Sequence, residues 1–217
     1  MAVIDFETTG MSPAYGDRPT EVAIVLVEGG QVVDQFQSLM NPGRRIPGFI
    51  SQLTGITDAM VRGAPSVAAV MADAARFVGD APMVAHNASF DRKFWQAELA
   101  ALALPNAQPF ACTVLLARRL YPLAPNHKLG TLADHLGLVR EGRAHRALSD
   151  ALVTAMLLLR MQQDLTMGHG LPGAEHPLLS ELQLCAKAAV PAWIQRHARQ
   201  STLPRWAIQG GGVTTTT

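Results

Sequence analysis

Asp5 and Glu7 stand two residues apart in AVIDFETTG, residues 2–10, inside a run that otherwise reads as a buried β-strand. Strand side chains alternate with period 2, so both carboxylates point to one face with their Cα atoms about 6.6–6.8 Å apart. Two anions held this way repel, and a hard divalent cation with oxygen ligands is the natural counter-charge. A solvated strand end is the competing explanation while the pair stands alone. Two further acids occupy matching local settings: Asp91 in HNASFDRKF and Asp150 in HRALSDALV. Each lies in or near the first turn of an expected helix, where the helix dipole favours a carboxylate by about 0.3–1 kcal/mol. His145 precedes Asp150 by five residues. On one continuous helix the two would lie about 140° apart, so they converge only if His145 sits on the preceding loop. A loop histidine has a reference pKa of about 6.5, suited to general-base work, although a histidine so placed also fits an ordinary surface position.

The elements that must carry these groups are legible from pattern. Residues 2–7 read as a strand, and 21–40 as two strands joined by Gly29-Gly30, a pair that accepts the positive φ angles of a two-residue hairpin. The first of these runs is almost wholly apolar, as in a strand covered on both faces. Helical spacing follows over 66–78, a short buried strand over 83–86, and a helix over 89–101 with Ser89 as its N-cap. A short strand over 109–113 precedes helical readings at 113–121, 129–137 and 147–164. Antiparallel strands followed by alternating strands and helices indicate an α/β domain on a mixed sheet.

That domain is expected to span 1–166. Gly and Pro mark 167–177 as a linker, 178–209 as a helical C-terminal extension, and the low-complexity end, 210–217, as a flexible tail. Leu178, Leu182, Cys185 and Ala189 form a helical stripe in the extension, which with Trp193 and Trp206 could dock on a partner or pack back on its own domain.

The chain has 217 residues, 48% of them hydrophobic, and a net charge of +1. Such a composition supports a proper core and gives no bulk signal for a polyanion or a membrane, so any nucleic acid must be gripped locally. Cys112 and Cys185 have neither zinc-site nor disulfide-framework spacing. With no leader-like start and no bilayer-length apolar run, the expected location is the cytoplasm.

VIDFETTG, HNASFD and HRALSD together resemble the three motifs of the DEDDh-type 3′-to-5′ exonucleases, which include the proofreading epsilon subunit of bacterial replicative polymerases. The resemblance covers roughly residues 2–165, in the right order. It implies an RNase H-like fold, a mixed five-stranded sheet flanked by helices. It also implies that Asp5, Glu7, Asp91 and Asp150 are the four metal-associated acids and His145 the general base. The sister class places a catalytic Tyr four residues before the last Asp; here that position is Arg146. The implied cofactors are two Mg²⁺ or Mn²⁺ ions. Asp5 would bridge them, Glu7 and Asp150 would complete the nucleophile-side ion, and Asp91 would act partly through water.

By the same resemblance, Thr8 and Thr9 approach the terminal sugar. Gly10 allows close approach of the backbone, while Leu53, Gly55 and Ile56 in LTGIT pack on terminal bases, or fold inward as loop hydrophobes. Asn87 and Phe90 support the site, with Phe90 also suited to the core beside Phe94. A hydrogen-bonded structural role is expected of His86. Glu21 is left outside the ligand set. Arg44, Arg45, Arg92, Lys93, Arg143 and Arg146, near the motifs, could together offset the acids and hold phosphate. The expected partner is a nucleic-acid 3′ end, single-stranded, with a polymerase or clamp as a further partner through the extension. DNA hydrolysis in proofreading or repair is the leading expectation. The alternatives are an exoribonuclease and a non-catalytic polymerase-associated interaction module.

Overall fold

β1 (Ala2–Thr8) lies at the centre of the sheet because residues flanking its acids are apolar on both faces and completely buried. In the computed structural model, which describes residues 1–139, 142, 144–171 and 173–202, the strand order is β3-β2-β1-β4-β5. Arg143, Arg205, Trp206 and the expected tail over 210–217 lie outside these residues. β2 (Pro19–Glu28) and β3 (Gln31–Leu39) run antiparallel beside β1, and β4 (Met83–Ala85) and β5 (Phe110–Cys112) parallel to it. The β2–β3 turn is Gly29-Gly30, at φ 57° and 81°, as the hairpin expectation requires. The mixed five-stranded sheet and its flanking helices are those expected of an RNase H-like fold.

Each face of the sheet carries its own core. Ala2, Ile4, Phe6, Val22 and Ile24 face α3 (Val67–Val78) and α4 (Ser89–Ala101). Val3, Ala23 and Val25 face α7 (Ala147–Gln163), after α5 (Thr113–Leu120) and α6 (Leu129–Leu136) have crossed to that side. By strand parity Asp5 and Glu7 share the Val3 face, beneath α7. Fully buried Ala147, Ala151 and Ala155 repeat every fourth residue of α7, so only methyl groups separate its first turns from the sheet. That close approach carries Asp150, between Ala147 and Ala151, over β1.

Two short helices, α1 (Gly48–Thr54) and α2 (Asp58–Val61), occupy a segment whose sequence carried no helical expectation. Beyond α7 the chain makes a π-helical turn, Asp164–Gly168, then anchors the expected linker through buried Leu171 and Ala174. α8 (His176–Leu182) and α9 (Val190–Thr202) follow. The expected helical stripe breaks after Leu182: Ala189 is exposed, and Pro191 lies in the first turn of α9. The apolar face instead consists of Leu179, Leu182, Val190 and Trp193, all buried in the α7-side core. Gln183 closes the outer edge of β5, accepting from the Cys112 amide at 2.7 Å and donating to the Phe110 carbonyl at 3.1 Å. Among the described residues no helix is long and apolar enough to cross a membrane.

Candidate active site

The site forms where the sheet opens. β4 ends at Ala85 and pairs with β1 only over Ala2 and Val3, so the last residues of β1 run on without a neighbour on that side. Into this gap comes Asp91 from the first turn of α4, only 2% exposed, whose Oδ1 accepts the Phe6 amide at 3.2 Å. Ser89 does not cap α4 as expected. It is the helix's first residue, Ala88 holds the cap position without a side-chain bond, and the Ser89 hydroxyl donates to Asn87 Oδ1 at 3.4 Å. Asn87 takes a left-handed φ of 69°, which asparagine tolerates better than most residues, and lines the cleft beside Asp5.

α7 brings the other half. His145 lies on the loop before the helix, as convergence with Asp150 demands, and has φ 59°. A left-handed conformation costs a non-glycine residue roughly 1–2 kcal/mol, so the surroundings must hold it. The His145 amide donates to Asp150 Oδ2 at 3.0 Å. The outcome is a cluster in which ligand atoms of Glu7, His145 and Asp150 all lie within 4.8 Å of one another, with Asp5 and Asp91 lining the same cleft.

Electrostatics mark this cluster as short of positive charge. Burial, then Asp91, Glu7, Asp150 and Glu21, push the Asp5 carboxyl well above the usual carboxylate range. Glu7 rises to about 8, first by burial and then by Asp150, Glu21 and Asp91, with Arg146 pulling it back. Asp91 rises to about 7 by burial, although backbone N–H groups and Lys93 oppose this. Carboxylate oxygens are the hard donors that Mg²⁺ and Mn²⁺ prefer, and a bound cation would reverse the local preference for protonation. The donor set therefore fits divalent metal.

The expected sugar- and base-contacting residues divide. Thr8, Gly10 and Leu53 line the cleft, Leu53 with 49% of its surface exposed. The Thr8 hydroxyl donates to the Gly10 carbonyl at 2.5 Å, and a Cβ on Gly10 would stand 2.4 Å from the Asp17 carboxylate, so a larger residue here would have to displace the Asp17 side chain. Thr9 is buried, its hydroxyl accepting the Arg18 amide at 3.0 Å. Gly55 terminates α1 at φ 75°. Ile56 corrects the expectation of a base contact: it is fully buried in a small cluster with Ile46, Ile50 and Val61. Phe90 serves both surfaces, its ring 5.1 Å from that of Phe94 while it also lines the cleft. His86 lines the cleft with its ring hydrogen-bonded to the protein. Its Nε2 donates to the His127 carbonyl at 3.1 Å, its Nδ1 meets Thr113 Oγ1 at 2.8 Å, and burial lowers its pKa to about 4, keeping it neutral.

The expected phosphate-binding cations fare unevenly. Arg44 reaches the Gly16 carbonyl and lies 3.6 Å from Asp17. Lys93 donates to the Met11 carbonyl at 2.9 Å. Arg146 is engaged in a two-pronged ion pair with Glu21, at 3.0 and 2.7 Å. Arg45 and Arg92 are exposed.

Known proteins with this arrangement are numerous. Residues 2–158 match the family model described as RNase_T, an exonuclease family. The PolC-type DNA polymerase III of Bacillus subtilis strain 168 is 43% identical over 164 residues, 75% of this chain but 11% of that protein. The protein named 3′-5′ exonuclease DinG from the same organism is 40% identical over 165 residues, again 75% of this chain and 18% of the relative. This chain thus spans less than a fifth of either. A solved structure described as Exonuclease X in complex with 5′ overhanging duplex DNA superposes with a TM-score of 0.67 at 29% identity, covering 84% of this chain and 98% of that one. With the family match running through all three acidic motifs, and the motifs themselves converging on one cleft, the chain belongs to the RNase_T exonucleases.

Proposed function

We propose that this chain removes nucleotides from DNA 3′ ends by metal-dependent hydrolysis, in proofreading or repair. The observation that carries the reading is the convergence of Glu7, His145 and Asp150 within 4.8 Å beside Asp5 and Asp91. DNA as substrate is supported by relatives named as a DNA polymerase and by the neighbouring structure described with duplex DNA.

Asp5, Glu7, Asp91 and Asp150 would hold two divalent ions, which when bound supply Lewis acidity to the attacking water and the leaving 3′ oxygen. His145, exposed on its loop and tied by its backbone to Asp150, takes the proton of the water. Leu53 offers an apolar surface to a terminal base, while Thr8 and Gly10 shape the turn that would receive the sugar. Asn87, at the head of α4, gives a neutral polar group on the cleft wall. The near-neutral charge of the chain favours a short single-stranded end gripped locally.

The deciding experiment is 3′-end degradation of matched single-stranded DNA, mispaired duplex DNA and RNA, each with Mg²⁺, Mn²⁺ or EDTA. Metal-dependent release of nucleoside monophosphates from DNA, fastest from single-stranded or mispaired ends, is expected. Preference for RNA would move the substrate to the 2′-hydroxyl-bearing polymer. Inertness toward every substrate would leave a non-catalytic interaction module. Activity that survives EDTA would overturn the two-ion chemistry.

A further inference from the structure

Glu21 is the fifth acid near the site, and the exonuclease chemistry makes no use of it. It lies on β2, directly opposite Glu7 in the β1–β2 ladder, and is completely buried. An additional anion here would only deepen the repulsion among Asp5, Glu7, Asp91 and Asp150, unless its charge were taken up by something else. Both of its oxygens are occupied. Oε1 accepts from Arg146 Nη2 at 2.7 Å and Gln37 Nε2 at 2.9 Å; Oε2 accepts from Arg146 Nε and the Ala147 amide, both at 3.0 Å.

The donors from α7 are adjacent residues at the helix's head. Arg146 is its N-cap residue and makes no side-chain capping bond, so the first helical amide, that of Ala147, is satisfied by Glu21 from another strand. The residue before Arg146 is His145, in its left-handed conformation, and Asp150 is joined to that residue's amide. One bidentate ion pair and one backbone bond thus fix the start of α7 to β2, one strand from Asp5 and Glu7.

We propose that Glu21 and Arg146 form a positioning clamp that sets where His145 and Asp150 stand over the β1 carboxylates. The proposal rests on the exonuclease reading. Arg146 acts through its fork geometry and not as a phosphate ligand, since its Nε and Nη2 are committed to Glu21. Its place at the head of α7, next to His145 and one turn from Asp150, separates the clamp from an ordinary ion pair, which would stabilise the fold without touching turnover.

The test compares wild type with Arg146→Lys, Arg146→Gln and Glu21→Gln. Turnover and KM are measured on a single-stranded DNA oligonucleotide between about 50 and 200 mM salt. Amide hydrogen exchange at Ala147 and His145 is followed in the metal-free proteins. Arg146→Lys keeps the charge and loses the fork, and the Arg146 side chain is 32% exposed, so this variant decides the matter even if a change at buried Glu21 prevents folding. Expected are a fall in kcat of about 10- to 100-fold, KM within about twofold, an unchanged salt slope and faster exchange at Ala147. A raised KM with intact kcat and a shallower salt slope would show that Arg146 grips phosphate and would overturn the clamp. So would kcat and KM both at wild-type values. An inactive wild-type chain overturns the exonuclease reading and the clamp's role with it; an active wild type indifferent to Arg146 variants overturns the clamp alone.

Discussion

The floor of the cleft and the head of α7 hold carboxylates in similarly dry surroundings, and treat them in opposite ways. Glu7 on the floor and Glu21 at the clamp are even direct partners across the β1–β2 ladder. Burial alone would raise both. At Glu21, hydrogen bonds from Arg146, the Ala147 amide and Gln37 outweigh burial and hold the carboxyl below its ordinary value. Glu7 meets Asp150, Glu21 and Asp91 instead, and is pushed up to about 8. A buried acid supplied with donors is structure; one surrounded by other acids is a place for a cation. Residue type does not distinguish the two; what faces them does.

The sharpest break of that contrast is Asp5→Asn. Degradation of DNA 3′ ends should fall below detection, while the metal-free protein, relieved of one buried like charge, melts at a higher temperature than wild type. Lost activity together with a lowered metal-free Tm would place Asp5 on the structural side of the comparison. Next, His145→Ala should reduce kcat by about 10²- to 10⁴-fold with Mn²⁺ affinity retained, checked by calorimetry. Equal loss of Mn²⁺ affinity would make His145 a ligand, as its 4.8 Å grouping with Glu7 and Asp150 also permits.

On the clamp side, Glu21→Ala leaves the Arg146 and Ala147 donors unmatched. Arg146 keeps partial access to water, so losing the bonds to the Glu21 carboxylate costs about 1.5–3 kcal/mol, a fall of roughly 3–12 °C in Tm for a chain of this size. A Tm within 1–2 °C of wild type, on the scale of about 2–4 °C per kcal/mol, would refute this.

Acidity offers a smaller but more direct contrast. The raised folded values of Glu7, about 8, and Asp91, about 7, mean that these groups bind protons more tightly when folded. Their stabilisation is fully present below the ordinary carboxylate pKa and is lost as pH rises toward 7–8. Glu21, with a lowered value, contributes stability above the ordinary range and loses it on acidification. Thermal melts in EDTA from pH 5 to about 9 should therefore decline, and Mn²⁺ should flatten the decline. A metal-free Tm that climbs over that window would contradict the account of the floor. The smallest effect belongs to Gln183→Ala, which uncovers the edge of β5 at a cost of about 1 kcal/mol, some 2–4 °C, with kcat unchanged.

Much of the scaffold was readable beforehand where a repeat or a turn signal was long enough. α3, α4 and α7 begin and end within a residue or so of their expected bounds, and Gly29-Gly30 makes the hairpin. α1 and α2, seven and four residues long, carry too little periodicity to register. The one local sign was Thr57, whose hydroxyl accepts the Met60 amide as the N-cap of α2. Ser89 looked like a cap because its type favours one, but the chain turns one residue earlier, around Asn87 and Ala88. Ile56 looked available because its neighbours resembled a binding segment. It points inward because α1 and α2 close over it.

Sequence by itself determined that Asp5 and Glu7 share a face, that Asp91 and Asp150 open helices, and that His145 must leave the helix to join them. These follow from period, turn chemistry and helix geometry, which act over a few residues. Tertiary structure alone decided which acids remain uncompensated. Glu21 finds Arg146 across 125 positions of sequence, and the Phe6 amide finds Asp91 across 85. Desolvation and charge pairing depend on which groups meet in space, and no local pattern encodes that meeting.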